Sequence, residues 1–363
     1  MRSLARTAAP VAHDFVVGDC RDILRTFPDD HFSACITDPP YNYEFVGRNW
    51  DDQEIRRRLE RVRESKTLVK NLPYGSGLAG GVRNARWYEA IRRNINEYRT
   101  WCESWAIALH RTLRPGAYCL VFNSTRTVAH VQVALESAGF YARDILVYRR
   151  HAGIPKGLNV AQKLKSQGRK DWESWTGWHS CLRNEWEAIC VVQKPLVENY
   201  LRTLEHSGVG LLRAQVGADG PFRSNILEGF RKDVEDQTVD GHCTIKPLSL
   251  IRNLVDLVVP SIGPHIVVDP FAGTGTTCLA AQALGHGFVG IEINEDYAQI
   301  ARKRLSRSNE KLPADPSLSG NGARSARHPN VAQELLFDEE QLFPAQRLKS
   351  ALHPSRTTPN RER

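Results

Sequence analysis

The chain has 363 residues, of which 41% are hydrophobic and 25% are charged, a composition typical of a globular protein with one large α/β domain and an inserted or appended part. It contains no apolar run long enough to span a membrane, and residues 1–10 lack the apolar stretch of a signal peptide, so we expect a cytoplasmic protein. The formal net charge of +8 favours a partner that carries phosphates, because each neutralised phosphate releases counterions.

The eight cysteines form no C-x-x-C pair, and several lie in apolar segments. We therefore expect reduced thiols in the core. The neighbouring residues His242 and Cys243 leave a metal site as an alternative, but no second pair of ligands has suitable spacing, so the sequence predicts no metal.

The first part of the chain is predicted to alternate between strands and helices. In order, hydrophobic spacing predicts a strand at 15–19, a helix at 20–27, a strand at 31–37, an irregular insertion at about 42–96, a helix at 97–112, a strand at 117–122, a helix at 128–137 and a strand at 145–148. Such alternation indicates an α/β fold with a mostly parallel sheet covered on both faces.

The second part interrupts this alternation and then resumes it. Residues 151–245 are rich in Gly, Trp and basic residues and are predicted to form a separate region. The predicted elements after it are a helix at 248–258, a strand at 265–268, a Gly-rich turn, a helix at 277–284, a strand at 287–291 and a helix at 296–305. Residues 306–363 are dominated by Ser, Pro, Asn and Arg, which predicts a disordered tail.

One chemical motif is the segment DPFAGTGT at residues 269–276, between a predicted strand and a predicted helix. Glycines there permit a tight turn and close approach of a ligand, and the helix N-terminus offers unpaired N–H groups. Glu292 follows the next strand, where a carboxylate can accept hydrogen bonds from two ribose hydroxyls. The segment has neither a P-loop lysine nor G-x-G-x-x-G, so a nucleoside-containing ligand is favoured, with a simple packing turn as the alternative.

The other motif is the segment TDPPYN at residues 37–42, where two prolines end a predicted strand. These residues suit a reaction in which an aromatic amine, such as the exocyclic amine of a base, attacks an electrophile. Such an amine is a poor nucleophile until acceptors bind its N–H protons. The Asp38 carboxylate and the Pro39 carbonyl can be those acceptors, Pro40 helps to fix the backbone, and Tyr41 can stack on an extruded base. A rigid turn without chemistry is the alternative.

Together these motifs resemble the β class of DNA amino-methyltransferases, in which the D-P-P-Y segment precedes the target-recognition region and the F-x-G-x-G segment comes last. Gly18-Asp19-Cys20 resembles the opening segment of that class, and residues 242–247 (HCTIKP) resemble its H-P-T-x-K-P segment, with Cys243 in place of proline. Four shorter segments, at 45–51, 124–127, 153–160 and 185–189, are similar to the phage and prophage type of modification methylase.

The resemblance implies a circularly permuted class I methyltransferase (Rossmann-like) that uses S-adenosylmethionine. Its parts would be a catalytic half at 1–150, a target-recognition region at 151–245, a cofactor-binding half at 246–305 and the tail at 306–363. The catalytic residues would be Asp38, Pro39, Pro40 and Tyr41. The cofactor-binding residues would be Asp19, Lys246, Asp269, Pro270, Phe271, Gly273, Gly275, Thr276 and Glu292.

Basic residues with interleaved tryptophans in the segment 151–240 suit phosphate contacts and stacking, and the predicted partner is double-stranded DNA in the nucleoid. The predicted DNA-binding residues are Arg48, Lys156, Lys163, Lys165, Arg169 and Lys170. Tryptophans packed in the core of a small subdomain are the alternative. In the tail, residues 333–337 (QELLF) are similar to peptides that dock on bacterial sliding clamps, although packing on the protein's own surface explains the segment equally well.

The sequence favours methylation of adenine N6, because Asp38 stands where cytosine N4 enzymes more often have Ser. Methylation of cytosine N4 remains open, since the amine chemistry is the same. An RNA or protein amide methyltransferase is disfavoured, because those related enzymes place Asn before Pro-Pro and the Gly-rich segment first. A non-catalytic DNA-binding protein is disfavoured by the two intact motifs.

Overall fold

The protein was analysed as a computed structural model, which describes residues 13–41, 85–150, 157–217, 219–232 and 245–310. The chain divides into a unit of residues 1–315 and a unit of residues 316–363, and the second lies wholly outside the described residues. The predictions for Arg48, Lys156, His242, Cys243 and the tail segment 333–337 also lie outside them.

The first unit is built on one mixed sheet of eight strands. The strands are β1 (His13–Val17), β2 (Phe32–Thr37), β3 (Leu113–Asn123), β4 (Tyr141–Arg149), β5 (Trp186–Gln193), β6 (Ile226–Leu227), β7 (Ile266–Asp269) and β8 (Gly287–Glu292). Their order in the sheet is β1-β8-β7-β2-β3-β5-β4-β6. All pairs are parallel except the two that β5 makes with β3 and β4. The mostly parallel α/β sheet expected from the sequence is confirmed.

Helices cover both faces of this sheet. They are α1 (Cys20–Thr26), α2 (Ala85–Thr112), α3 (Val128–Ser137), α4 (Val160–Ser166), a 3-10 turn (Trp172–Trp175), α5 (Tyr200–Ser207), α6 (Leu248–Val258), α7 (Thr276–Ala283) and α8 (Glu295–Glu310). One apolar core joins the sheet to α6, α7 and α8, and a second joins it to α1, α2 and α3. The strands supply both, since Ile36 belongs to the first core and Cys35 to the second.

Two predicted boundaries are corrected by the structure. Helix α2 begins at Ala85, inside the insertion predicted at about 42–96. Strand β3 begins at Leu113, before the turn expected at Pro115 and Gly116. The β2–β3 register shifts there, from Phe32 opposite Leu113 to Ala34 opposite Tyr118, so the extra residues form a bulge. The bulge accommodates Pro115, which has no N–H to donate, and Gly116, which has a φ of 78°.

A larger correction concerns the predicted target-recognition region at 151–245. Its residues Trp186–Gln193 form β5, which lies inside the sheet between β3 and β4. Strand β5 is buried from Glu187 to Gln193, so this part of the segment belongs to the central fold.

The described cysteines are unpaired, and all except Cys181 are buried, as expected for core thiols. Within the described ranges, no helix combines the length and apolar character needed to cross a membrane.

Candidate active site

The two motifs lie side by side because their strands are neighbours. Strands β2 and β7 run parallel, with Cys35 opposite Val268, so Asp38 and Pro270 follow adjacent strand ends at the same edge of the sheet. The Thr37 hydroxyl donates a hydrogen bond of 2.7 Å to Oδ1 of Asp269, which links the two ends directly. This is the edge at which open α/β sheets bind ligands. The structure therefore places the two motifs at adjacent strand ends.

Asp38 is held at this edge by one of its carboxylate oxygens. Lys246 Nζ lies 2.6 Å from Oδ2 of Asp38, although the two residues are 208 positions apart in the chain. The other oxygen, Oδ1, is buried and has no hydrogen-bond partner among the described residues. A buried acceptor without a partner is costly in a folded protein and often marks a functional group. Within the described part of the chain, one Asp38 oxygen is therefore paired and the other is buried without a partner.

Lys246, for which the resemblance implies a cofactor role, is paired with acids of the TDPPYN segment and of β5. Its Nζ also lies 3.2 Å from Oε2 of Glu187 and 3.3 Å from the Tyr41 hydroxyl. Burial alone would lower the pKa of Lys246, but Asp38 and Glu187 outweigh it and raise this pKa above its ordinary value. The ammonium group therefore stays charged beside Asp38.

The other residues of the catalytic segment are fixed from α2 and β3. Pro39 is buried and Pro40 is exposed. The Tyr98 hydroxyl donates a 3.4 Å hydrogen bond to the Pro40 carbonyl and accepts a 2.9 Å bond from Asn123 Nδ2. Tyr41 is partly buried against the core, with Lys246 Nζ 5.4 Å from its ring centroid. The segment is thus anchored by buried polar groups on elements distant in sequence.

The Gly-rich turn is shaped by Glu292 at the end of β8. Glu292 Oε2 accepts a 2.8 Å hydrogen bond from the Gly273 N–H, and Oε1 accepts one of the same length from the Asn294 N–H. Burial raises the pKa of Glu292 above its ordinary value. Gly275 has a φ of 81° and caps the N-terminus of α7, where an L side chain would be strained. Thr276 begins α7 and is buried.

Aromatic and basic side chains complete the support of this turn. The Phe271 ring lies 5.5 Å from the rings of both Trp101 and Trp105. Arg304 on α8 donates a 2.8 Å hydrogen bond to the Thr274 carbonyl. Asp269 is buried and also accepts a 3.1 Å hydrogen bond from the Phe271 N–H. The turn is therefore rigidly tied to α2, α8 and β7.

Asp19 begins the neighbouring part of the same edge. Val17 pairs with Glu292 across β1 and β8, and the Gly18 N–H donates to the Glu292 carbonyl at 3.0 Å. The Asp19 carboxylate caps α1 and forms a 2.6 Å ion pair with Arg21. Asp19 therefore follows the residue that bonds to Glu292, and its carboxylate is paired with Arg21.

This edge fits a nucleoside-containing methyl donor. Each Glu292 oxygen accepts one backbone N–H and retains a lone pair, so both can accept hydrogen bonds from ribose hydroxyls. The left-handed Gly273 and Gly275 keep side chains off the turn that follows β7. The residues that would hold the donor are Asp19, Asp269, Pro270, Phe271, Gly273, Gly275, Thr276 and Glu292.

The predicted DNA-binding residues that the structure describes lie on the segment 157–185. Lys163, Lys165, Arg169 and Lys170 are exposed. Lys165 Nζ lies 4.5 Å from the Trp172 ring, and Arg169 forms a 2.5 Å ion pair with Asp171. Trp175 and Trp178 are 41% and 63% exposed, which argues against the alternative that these two tryptophans form a core.

Two residues of the site were not assigned from the sequence. Glu187 enters the sequence analysis only within the resemblance at 185–189, and Tyr98 only within the predicted helix at 97–112. The acid in an otherwise apolar strand, Trp186–Gln193, is the signal that could have marked Glu187, since lone acids are seldom buried without a partner.

A mostly parallel sheet with an acceptor segment and a Gly-rich cradle at adjacent strand ends defines an α/β methyltransferase of class I, which uses S-adenosylmethionine. The family model described as DNA methylase, for N6 and N4 enzymes, matches residues 32–303. The chain therefore belongs to the N6/N4 DNA methylase family, and it is a DNA amino-methyltransferase.

Individual relatives agree with this assignment. The Type II methyltransferase M.HindIII of Haemophilus influenzae is 32% identical over 302 residues, which cover 78% of this chain and 91% of the relative. The Type II methyltransferase M.HinfI of Haemophilus influenzae is 24% identical over 335 residues, 91% of this chain and 77% of the relative. Among solved structures, the PvuII DNA methyltransferase (cytosine-N4-specific) matches with a TM-score of 0.50 at 13% identity, covering 84% of this chain and 94% of that one. The structural likeness supports the fold.

Proposed function

We propose that this DNA methyltransferase modifies the exocyclic N6 of adenine at a specific site, as the modification enzyme of a restriction–modification system. The observation that supports methyl transfer to an amine is the hydrogen bonding of the Asp38 carboxylate. One oxygen is anchored by Lys246 at 2.6 Å, and the other is buried without a partner among the described residues. The names of the two Type II relatives support the biological setting.

The chain's own residues prepare the amine for attack. In the free base the nitrogen lone pair is delocalised into the ring, so the amine is weakly nucleophilic. Oδ1 of Asp38 and the Pro39 carbonyl would each accept one amine proton, which favours a tetrahedral nitrogen with an available lone pair. Tyr41 would stack on the flipped base.

S-adenosylmethionine supplies, when bound, an electrophilic methyl carbon attached to a sulfonium. Asp38, Pro39 and Tyr41 would hold the amine nitrogen facing that carbon, so that the methyl group could pass to nitrogen and leave the sulfur as a neutral thioether. The amine then loses one proton, for which Asp38 is the nearest acceptor in the proposed geometry. Lys246 stays protonated, because its pKa is raised, and so does not compete as the base.

Adenine is favoured over cytosine by the residue at position 38. A carboxylate carries a full charge with which to accept an amine proton, and Asp38 matches the N6 members of the family that the sequence resembles. Nucleoside analysis of DNA methylated by the purified protein is expected to give N6-methyldeoxyadenosine. Finding N4-methyldeoxycytidine instead would contradict the adenine assignment while leaving the amine chemistry intact.

The catalytic role of Asp38 is tested by Asp38→Ala. We expect transfer of labelled methyl groups to DNA to fall about 10³-fold or more, because an acceptor aligned with the reacting nitrogen is lost. Binding of S-adenosylmethionine, measured by calorimetry, is expected to persist, since the cradle follows β7 and β8. The matched control Asp22→Ala removes an exposed acid of α1 and should leave transfer unchanged. Loss of cofactor binding in Asp38→Ala would contradict the assigned role.

A further inference from the structure

Glu187 is a buried acid that the mechanism above does not use. It is the second residue of β5 and is 8% exposed. Because β5 is antiparallel to β3 and β4, its first residues lie at the edge where those two strands end, with Ala188 opposite Asn123 and Glu187 opposite Tyr148. The fold therefore delivers a carboxylate from β5 to the edge that carries Asp38.

The partners of Glu187 lead to the catalytic segment. Arg150 Nη1 donates a 2.8 Å hydrogen bond to Oε1 of Glu187, and Oε2 lies 3.2 Å from Lys246 Nζ. Lys246 in turn lies 2.6 Å from Oδ2 of Asp38. The four groups, from Arg150 through Glu187 and Lys246 to Asp38, therefore alternate in charge. Largely buried ions such as Glu187 and Lys246 are tolerated only when they are paired.

The position of the Lys246 ammonium decides what Asp38 can offer. Its Nζ lies between two carboxylates and within 5.0 Å of the Phe122 ring centroid, so its place is set from several sides. Without the Glu187 charge, the ammonium would have Asp38 as its only acid among these four groups. It would then shift toward Asp38, and the carboxylate would lose freedom to accept a proton from the substrate amine.

We propose that Glu187 is a positioning residue for methyl transfer, which acts through Lys246 to leave one Asp38 oxygen available to the substrate amine. This role rests on the proposed function, because it assumes that Asp38 accepts an amine proton. It differs from a purely structural ion pair, whose loss would lower stability without a specific effect on the chemical step.

The test is a double-mutant cycle with Glu187→Gln and Lys246→Met, measured as the single-turnover rate of methyl transfer at saturating DNA and cofactor. Glu187→Gln is expected to lower this rate about 10- to 100-fold, with the Kd for S-adenosylmethionine changed less than about 3-fold. In the Lys246→Met background the same substitution should change the rate less than about 2-fold, because the intermediary is gone. Glu187→Asp keeps the charge and should retain more of the rate than Glu187→Gln does. If Glu187→Gln does not fold, Glu187→Asp takes its place in the cycle.

Glu228→Gln is the matched control, since Glu228 forms an exposed ion pair with Arg149, the residue before Arg150. It should leave the rate unchanged. An unchanged rate in Glu187→Gln, or an equal fold-loss in both backgrounds, would overturn the positioning role. The base methylated by the wild-type protein is read in the same assay. A product other than N6-methyldeoxyadenosine contradicts the proposed substrate, whereas only the cycle decides the role of Glu187.

Discussion

At the scale of single residues, the site keeps a buried acid that is distinct from Asp38. Asp269 is 4% exposed and accepts hydrogen bonds from Thr37 and from the Phe271 N–H. Burial raises its pKa from 3.8 to about 6, and the hydrogen bonds offset only part of that effect. The folded state therefore binds a proton between these two pH values more readily than the unfolded chain does. The contribution of Asp269 to stability consequently falls as pH rises through this window.

Asp269→Asn should remove this pH dependence while keeping an oxygen that accepts both hydrogen bonds. Relative to the wild type, the free energy of unfolding of the variant is expected to rise between pH 4 and pH 7, by up to about 3 kcal/mol. Urea denaturation at several pH values across this range measures the difference. Asp22→Asn, at an exposed acid, is the control. A constant difference between the wild type and Asp269→Asn would show that Asp269 does not carry the raised pKa.

At the scale of elements, the Gly-rich turn depends on how closely α7 and α8 approach. A Cβ added to Gly275 would lie 3.0 Å from the Cβ of Ala301 on α8, in a backbone with a φ of 81°. Gly285, just after α7, has a φ of 77°, but a Cβ there would meet nothing within 4 Å. Both glycines have a left-handed backbone in which an L residue would be strained, and they differ in the contact with α8.

We therefore expect Gly275→Ala to weaken binding of S-adenosylmethionine about 10-fold or more and to lower the melting temperature more than Gly285→Ala does. The left-handed backbone should destabilise both variants by about 1–2 kcal/mol, and only Gly275→Ala should also displace the turn. Calorimetry of cofactor binding and thermal unfolding compare the pair. Equal effects of the two substitutions would mean that the contact with Ala301 is unimportant.

The strands differ in how well their ends and neighbours can be predicted from the sequence. Proline and glycine act locally, so the strand ends before Asp38 and before Gly273 were predictable from a few residues. Strand β5 was not, because its apolar run follows a region rich in Trp and basic residues and its place depends on antiparallel pairing with β3 and β4. The contact of Lys246 with Asp38 spans 208 positions, so no spacing rule could indicate it.

At the scale of the whole molecule, the sheet edge that carries Asp38 also carries both ends of the segment predicted to bind DNA. Strand β4 runs parallel to β3 and therefore ends at the same edge as β2, and the Arg150 N–H bonds to the Glu185 carbonyl at 2.7 Å. The chain thus leaves the sheet after Arg149 and rejoins it at Trp186, at the edge that carries Asp38. With a net charge of +8, the protein as a whole also attracts DNA, so local contacts must be separated from that general attraction.

Two pairs of substitutions make this separation. One double variant, Lys163→Ala with Lys170→Ala, removes two exposed positive charges from the segment 157–185. The other, Lys303→Ala with Arg307→Ala, removes two exposed positive charges from α8. Both lower the net charge equally. If the segment contacts phosphates, only the first pair should reduce the slope of log K against log salt concentration, by about 1 to 2. Equal slopes for the two pairs, measured by DNA-binding titrations at several salt concentrations, would assign the attraction to overall charge and remove Lys163 and Lys170 from the DNA interface.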